Sequence, residues 1–532
     1  MYDYIIVGAG SAGCVLANRL SADPATSVLL LEAGKKDNSP FIHMPAGVGQ
    51  LIAGKTYNWS FDTAPEPQLE NRRLFWPRGK GLGGSSSING MVYIRGHAQD
   101  FDRWRQLGNE GWSYEEVLPY FKRSMNQERG ADEFHGVGGP LNVKDGSSPL
   151  PAHKLFIQAG IEAGYEYNAD FNGANQEGVG PFQLTKVGNQ RCSAARGYLT
   201  PVLERPNLTV ATGARLLKVL LENKQAVGVC YDHKGQTITA KATKEVLLCA
   251  GAVQSPQLLQ LSGIGDATAL QALGIECLQH LPGVGKNLQD HLDVVVQHHV
   301  TDPSMTLDGA IKLYKLPYIF LRYLLFKDGL GTDNPLEAGA FLKTRPDLEV
   351  PDIQLHFIPV FMLDHGRRRG PGPGMCIHIC QLRPESRGEV TLASSDPFAE
   401  PVIKANYLDA DSDLDVLVAG VKVARKIFAT DAFKPILGEE YEDSRDAKTD
   451  EEIKGFIRHT AETIYHPVGT CKMGHDELAV VDARLRVRGV KNLRVVDASV
   501  MPTLVGGNTN AATIMIAEKA ADMILDDQRV RV

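Results

Sequence analysis

The pattern of apolar and polar positions is clearest at the start of the chain. Tyr4-Ile5-Ile6-Val7 form an unbroken run suited to a buried strand. Gly8-Ala9-Gly10-Ser11-Ala12-Gly13 then breaks it with glycines in G-x-G-x-x-G spacing. Ala12, Val15, Leu16 and Leu20 recur at helical spacing, and a second apolar run, Val28 to Leu31, ends at Glu32, nineteen residues past Gly13. This order of strand, glycine turn, helix, strand and acid predicts a dinucleotide-binding βαβ unit. Gly8 permits the tight turn, Gly10 lets backbone approach a pyrophosphate, and Gly13 lets helix and strand pack closely. The helix N-terminus offers unpaired N–H groups and the positive end of its dipole, and Glu32 can accept hydrogen bonds from a ribose.

The rest of the chain carries further signals. Residues 35 to 75 have little regular period and many prolines and glycines, which predicts a lid or mouth loop, with a purely structural excursion as the alternative. Trp76 to Gly96 crowds glycines, serines and Asn89 before an apolar tail, a composition that lets a flat ring lie against bare backbone. Residues 100 to 200 hold no obvious catalytic cluster. Asn207 to Val219 and Gln225 to Val229 read as adjacent strands of a small sheet beside the first unit. Val246 to Ala252 is a buried strand ending in glycine. It leads to a helix for which Ser255 suits the N-cap, Pro256 the first position and Gly263 the stop. Leu281 to Asp290 brings another glycine turn. Between 300 and 465, runs such as Ile353 to Ile358 and Met375 to Leu382 predict an antiparallel sheet on the substrate side. Two blocks close the chain. Thr463 to Thr470 contains His466, and the strand Asn492 to Val496 meets Asp497, Ala498 and Ser499 before Gly506 to Asn510 lead into an apolar helix, Thr513 to Leu525.

Composition narrows the classes. The chain has 532 residues, is 43% hydrophobic and 22% charged, and carries a net charge of −7, so no basic excess points to nucleic acid. The 8 cysteines never form C-x-x-C. Cys376, His378 and Cys380 alternate along one strand without supporting ligands, so no metal is expected and the thiols read as core residues in a reducing compartment. A strand beginning almost at Met1 predicts no secretory leader, and no apolar run reaches the roughly 18 residues of a membrane span. The nearest, Ile311 to Phe326, carries Lys312, Lys315, Pro317 and Arg322. It is expected to be a buried helix pair under a loop, with an interfacial segment resting on a membrane as the alternative. Arg367-Arg368-Arg369 reads as a solvated loop, with a docking patch as the alternative. No G-x-S-x-G elbow supports a hydrolase.

Together these blocks resemble the glucose–methanol–choline (GMC) oxidoreductases. The βαβ unit with Glu32, the Gly83-Gly84 to Asn89 block, Gly251 to Gly265, Tyr465-His466-Pro467-Val468-Gly469 and the Asp497 to Asn510 close occur in family order and span residues 4 to 525. The likeness is greatest to bacterial alkanol and polyethylene glycol alcohol dehydrogenases and to choline dehydrogenase. The resemblance implies an α/β fold, with a Rossmann-like FAD-binding domain and an intertwined α+β substrate domain built on an antiparallel sheet. Residues 1–155, 201–297 and 467–532 would form the first domain, and 156–200 and 298–466 the second.

The resemblance also implies FAD rather than NAD. Gly8, Gly10, Ser11, Ala12, Gly13, Glu32 and Ala33 would hold its ADP half, and Leu216 would reach the adenine region. Gly84, Ser85, Asn89, Gly90, Met91 and Val92 would lie along the flavin, and Asp497, Ala498, Asn508 and Thr509 would complete the cofactor site. His466 matches the active-site base and Asn508 the second catalytic position, with Asn510 close enough to compete for that assignment. Some members tether FAD through a His where this chain has Ile88, so non-covalent FAD is expected. The implied reaction is oxidation of a primary aliphatic or aromatic alcohol to the aldehyde, with hydride passing to flavin N5 and electrons to a quinone or other non-oxygen acceptor. A peroxide-forming alcohol oxidase is the first alternative and a non-redox hydroxynitrile lyase the second. The expected setting is cytoplasmic, with peripheral contact at the inner face of the cytoplasmic membrane left open.

Overall fold

The first apolar run becomes the strand Tyr2–Val7 in the computed structural model, which describes residues 1–146, 148, 150–364, 366–368 and 370–531. It lies between Val28–Glu32 and Gln236–Leu248, parallel to both, and Val28–Glu32 is buried along its whole length. Continuous burial explains why both runs read as unbroken apolar stretches, since a central parallel strand is covered on both faces. The seven-stranded sheet follows the order Leu208–Thr212, Val28–Glu32, Tyr2–Val7, Gln236–Leu248, Gln225–His233, Ala214–Glu222, with Leu493–Val495 also paired to Gln236–Leu248. The strands after residue 207 are therefore not a separate small sheet. Gln236–Leu248 is long enough to form a hairpin with Gln225–His233 at one end and to run parallel to Tyr2–Val7 at the other. The helix Ser11–Leu20 packs against the closing helix Thr509–Arg531.

A second seven-stranded sheet runs Leu437–Glu440, Leu292–Val300, Gly374–Gln381, Ile353–Ile358, Ala338–Leu342, Gly178–Pro181, with Glu462–Thr463 beside Leu292–Val300. All these pairings are antiparallel. Successive side chains alternate faces. Val294, Val296, Leu355, Phe357, Ile377 and Ile379 enter a core with Leu417 and Val421 of the helix Asp411–Phe428. Asp293, His356, Ile358 and His378 take the opposite face and line a cavity.

Several expectations need correction. The boundary at 297 cuts the strand Leu292–Val300, which lies wholly in the second sheet. The boundary at 155 cuts the helix Ala152–Glu162, whose Ala152, Phe156 and Ala159 pack in the second core. The helix placed at Ser255 begins at Gly251, because Asp497, distant in sequence, accepts the Gly251 N–H at 2.8 Å and the Ser255 hydroxyl at 2.6 Å. The closing helix likewise begins at Thr509 rather than Thr513. The stretch expected to be a buried helix pair is a 3-10 turn, Leu313–Lys315, leading into one exposed helix, Leu316–Phe326, in which Tyr323 is the only buried residue. Pro317 sits in its first turn, where a missing N–H costs nothing, and so starts the helix. Arg367 and Arg368 are exposed as predicted; Arg369 lies outside the described residues.

Residues 35 to 75 contain short helices at Pro40–His43 and Val48–Ala53, and Ala46, Val48, Gly49, Ile52 and Trp59 line the cavity. Among the described residues all eight cysteines are free and no metal-binding cluster occurs. No helix there is long and apolar enough to cross a membrane.

A buried ion pair anchors the end of the chain. Arg494, 1% exposed, meets Glu245 at 2.6 Å and Asp527 of the closing helix at 2.6 Å. Replacing Arg494 with Met should leave the Glu245 charge buried without its partner and cost about 3–5 kcal/mol. The measurement is the denaturation midpoint of the holoenzyme. The double change Arg494→Met, Glu245→Met should recover most of the loss, and no recovery would assign the loss to packing instead.

Candidate active site

A cavity of about 620 Å³ runs from the glycine turn of the first sheet to the polar face of the second. Its lining includes Gly8, Gly10, Ser11, Ala12, Glu32, Ala33, Gly84, Ser85, Asn89, Gly90, Met91, Val92, Leu216, Asp497, Ala498, Asn508, Thr509 and His466. Of the residues singled out from sequence, Gly13 alone is absent from that lining. It sits where helix meets strand, and a Cβ there would lie 1.9 Å from the Gly8 carbonyl oxygen.

The residues at one end fit a dinucleotide. A Cβ on Gly10 would meet only the Cys249 carbonyl, 3.9 Å away, so the space above the turn is open. A Cβ on Gly84, at φ +52°, would come within 2.7 Å of the Gly10 Cα, so two bare backbones close the floor together. Glu32 accepts the Ala9 N–H at 2.9 Å and the Gly34 N–H at 2.7 Å, and burial pushes its carboxyl up to about 7. The backbone thus holds the carboxylate rigidly at the cavity wall, with lone pairs left for a ribose. Arg215 lies over the Trp59 ring at 5.3 Å beside Leu216 and adds a cation the sequence reading passed over. The Asp497 carboxylate is taken up by Gly251, Ser255 and the Ser499 N–H, so it fixes the turn at the start of a helix. Asn89 accepts from the Met91 N–H at 3.1 Å and from Arg191 at 2.6 Å. Arg191 is fully buried and binds the Ile42 and Ser86 carbonyls as well, tying the loop after Gly84 to the segment over it.

The other end of the cavity fixes one proton arrangement. His291 Nε2 faces the Leu382 carbonyl at 3.2 Å, which can only accept, so that nitrogen carries the proton. Neutral His291 then presents a bare Nδ1, and His466 Nδ1, 3.0 Å away, must donate to it. The remaining nitrogen of His466, Nε2, is left with a lone pair. Asn508 Nδ2 meets it at 3.2 Å, while Asn508 Oδ1 accepts from Gln354 Nε2 at 3.2 Å, which sets the amide's orientation. Asn510 turns away and accepts from the Ser11 hydroxyl at 2.6 Å, so Asn508 is the residue beside His466.

Burial also sets the charges here. His466 lies well below the ordinary histidine range, first through desolvation and then through its neighbours His291, His356 and Arg78, of which Arg78 carries the standing positive charge. His291 is pushed down to about 4 by burial, and His356 to about 3 by burial and by His378. Burial alone would lower His378 too, but the adjacent Asp293 carboxylate overrides it and holds His378 protonated. His466 therefore faces the cavity as a neutral imidazole.

Several residues that build this end were missed. Asp290 is a buried carboxylate that accepts the His466 N–H at 2.7 Å and the hydroxyls of Thr463 and Tyr407. Arg78 donates to the Tyr465 carbonyl at 2.5 Å. Asp290 and His291 end the glycine turn of 281–290, where the polar pair ahead of an apolar strand was the available signal. Gln354 and His356 alternate with apolar residues, the mark of a strand with one polar face.

Comparison with known proteins agrees with this geometry. The N-terminal GMC oxidoreductase family model matches residues 2–293 and the C-terminal one residues 384–517. An alcohol dehydrogenase [acceptor] of Pseudomonas putida is 49% identical over 99% of this chain and 96% of its own. The mitochondrial choline dehydrogenase of Homo sapiens is 47% identical over 98% and 89%. The crystal structure of pyridoxine 4-oxidase from Mesorbium loti superposes with a TM-score of 0.89 at 32% identity, over 98% of this chain and 99% of that one. With a glycine-floored nucleotide cradle at one end and a neutral imidazole at the other, the chain belongs to the GMC oxidoreductases and takes FAD as its cofactor.

Proposed function

We propose that this protein oxidises a primary aliphatic or aromatic alcohol to the aldehyde, with His466 as general base, and passes the electrons to a quinone or another non-oxygen acceptor. The observation that carries the reading is the unprotonated His466 Nε2, which accepts from Asn508 Nδ2 at 3.2 Å and is held toward the cavity by the His466–His291–Leu382 chain. Bound FAD supplies the hydride acceptor, at flavin N5. The hydroxyl of the alcohol takes the place of the direct Asn508–His466 contact, giving its proton to His466 Nε2 while its oxygen accepts from Asn508 Nδ2. Gln354 keeps the Asn508 amide from flipping, and Asp290 fixes the His466 backbone. The imidazolium formed on His466 keeps its Nδ1–H on His291, so the proton stays at Nε2 until the aldehyde has formed.

Leu336, Ile358, Val360, Phe361, Met362 and Ile464 line the substrate side of the cavity and support an apolar alcohol. The Asp293 carboxylate is matched by His378, so it is not an unpaired anion for a quaternary ammonium group. Similarity to an acceptor-dependent dehydrogenase supports a non-oxygen acceptor. Likeness to pyridoxine 4-oxidase supports the oxidase alternative, and peroxide release on mixing with alcohol and air would decide for it. The eight unpaired cysteines support a cytoplasmic setting, and the exposed helix Leu316–Phe326 supports peripheral membrane contact. Ile88 packs with Ile42 and Leu51 and supports FAD held without a covalent bond.

Three outcomes are expected. His466→Ala should slow anaerobic flavin reduction by alcohol about 10²–10⁴-fold while FAD stays bound, and wild-type rates would end the assignment. Because His466 sits below the ordinary histidine range, its basic form persists into acid. The acid limb of kcat/KM should therefore fall below pH 6.5, and a limb centred above neutrality would point to another base. Acid precipitation should release the yellow colour into the supernatant; colour retained on the pellet would mean a covalent bond.

A further inference from the structure

The helix Leu316–Phe326 carries its apolar side chains outward. Leu321 is 55% exposed, Leu325 64% and Phe326 70%, and Tyr314, Leu316 and Tyr318 are exposed beside them. Scattered exposed apolar residues are ordinary, but a contiguous group on one short helix marks a surface that something covers. The helix is not loose. Tyr323 is buried with its hydroxyl on the His43 carbonyl at 2.8 Å, and Phe320 stacks on Phe41 with ring centroids 5.4 Å apart. It is therefore held at a fixed place with its apolar side turned away from the protein.

We propose that this helix docks the enzyme on an anionic lipid bilayer and sets the cavity beside the membrane. Charge selects the occupant. The chain carries a net charge of −7, yet from 312 to 330 the charged residues are Lys312, Lys315, Arg322 and Lys327 against Asp328 alone. Arg322 is paired with Asp328 at 2.6 Å and Lys327 lies over the Tyr323 ring at 4.9 Å, which leaves exposed Lys312 and Lys315 to face lipid phosphates. In a two-fold contact with a second copy the same lysines would face one another, so that contact would not supply the complement. An 11-residue helix is too short to span a bilayer, so it lies in the interface with lysines at headgroup level and leucines in the acyl boundary.

Position gives the contact its use. Leu307, Asp308 and Ile311, just before the helix, line the cavity, as do Ala46, Val48, Gly49 and Ile52, just after the segment that grips it. An alcohol or quinone dissolved in lipid reaches the cavity from this side without crossing water. That use rests on the proposed oxidation with a non-oxygen acceptor; the docking itself does not.

The test is flotation of the full-length holoenzyme with vesicles of phosphatidylcholine and phosphatidylglycerol in equal parts, and with phosphatidylcholine alone. The wild type should float with the mixed vesicles and less with the neutral ones. A triple variant, Leu321→Gln, Leu325→Gln and Phe326→Gln, should bind at least about tenfold less, because interfacial binding scales with buried apolar area. Its alcohol oxidation with a water-soluble dye should be unchanged, while its reduction of a vesicle-embedded quinone should fall. Lys312→Glu with Lys315→Glu should abolish the preference for anionic vesicles. A wild type that floats with neither vesicle, or a triple variant that floats like it, overturns the proposal. So does a wild type that doubles its mass in light scattering, through a contact the triple variant loses, without binding vesicles. Vesicle binding by an enzyme that oxidises no alcohol would leave docking intact and sink the proposed function alone.

Discussion

One buried carboxylate holds the reactive end of this molecule together. Asp290 stands just before the strand Leu292–Val300 of the second sheet and accepts the His466 N–H and the hydroxyls of Thr463 and Tyr407. Burial raises its pKa above the ordinary carboxylate range, and a desolvated charge is costly unless donors converge on it. Those donors come from segments far apart in the chain, so satisfying one carboxylate draws them to one point. The imidazole of His466 is then placed by its own backbone, not only by its ring contacts. The His291–Leu382 contact settles which ring nitrogen is bare.

The two sheets divide the work according to their hydrogen-bonding pattern. The parallel part of the first is covered on both faces, so its chemistry sits at strand ends, where Gly8, Glu32 and Asp497 meet the cavity. The antiparallel second sheet has one face in an apolar core and the other on the cavity. A period of two therefore brings Asp293, Gln354, His356 and His378 to the reactive side while their neighbours pack against the helix Asp411–Phe428. Buried histidines on that face settle into opposite states by neighbourhood: His356 is kept neutral by desolvation and by the charge of His378, which Asp293 keeps protonated.

The exposed helix Leu316–Phe326 follows another logic. Its apolar pattern alone suits burial, and a periodicity argument has no means of telling a core from a bilayer. Both are apolar surroundings, and the same residues satisfy either. Only the packing of Phe320 and Tyr323 beneath it shows which side of the helix faces protein.

The chain by itself determined the nucleotide-binding half. The strands Tyr2–Val7 and Val28–Glu32, the helix between them and the residues of the glycine turn follow from contacts within about one βαβ unit, where local spacing and backbone freedom leave few alternatives. His466 and Asn508 each stand in a distinctive local block, and both line the cavity. Tertiary structure decided what depends on partners remote in sequence. It chose Asn508 over Asn510, fixed the His466 tautomer through His291, moved a helix start to Gly251 through Asp497, and gave the whole of Leu292–Val300 to the second sheet. A hydrogen bond between residues tens to hundreds of positions apart leaves no periodicity in the sequence, and these assignments rest on such bonds.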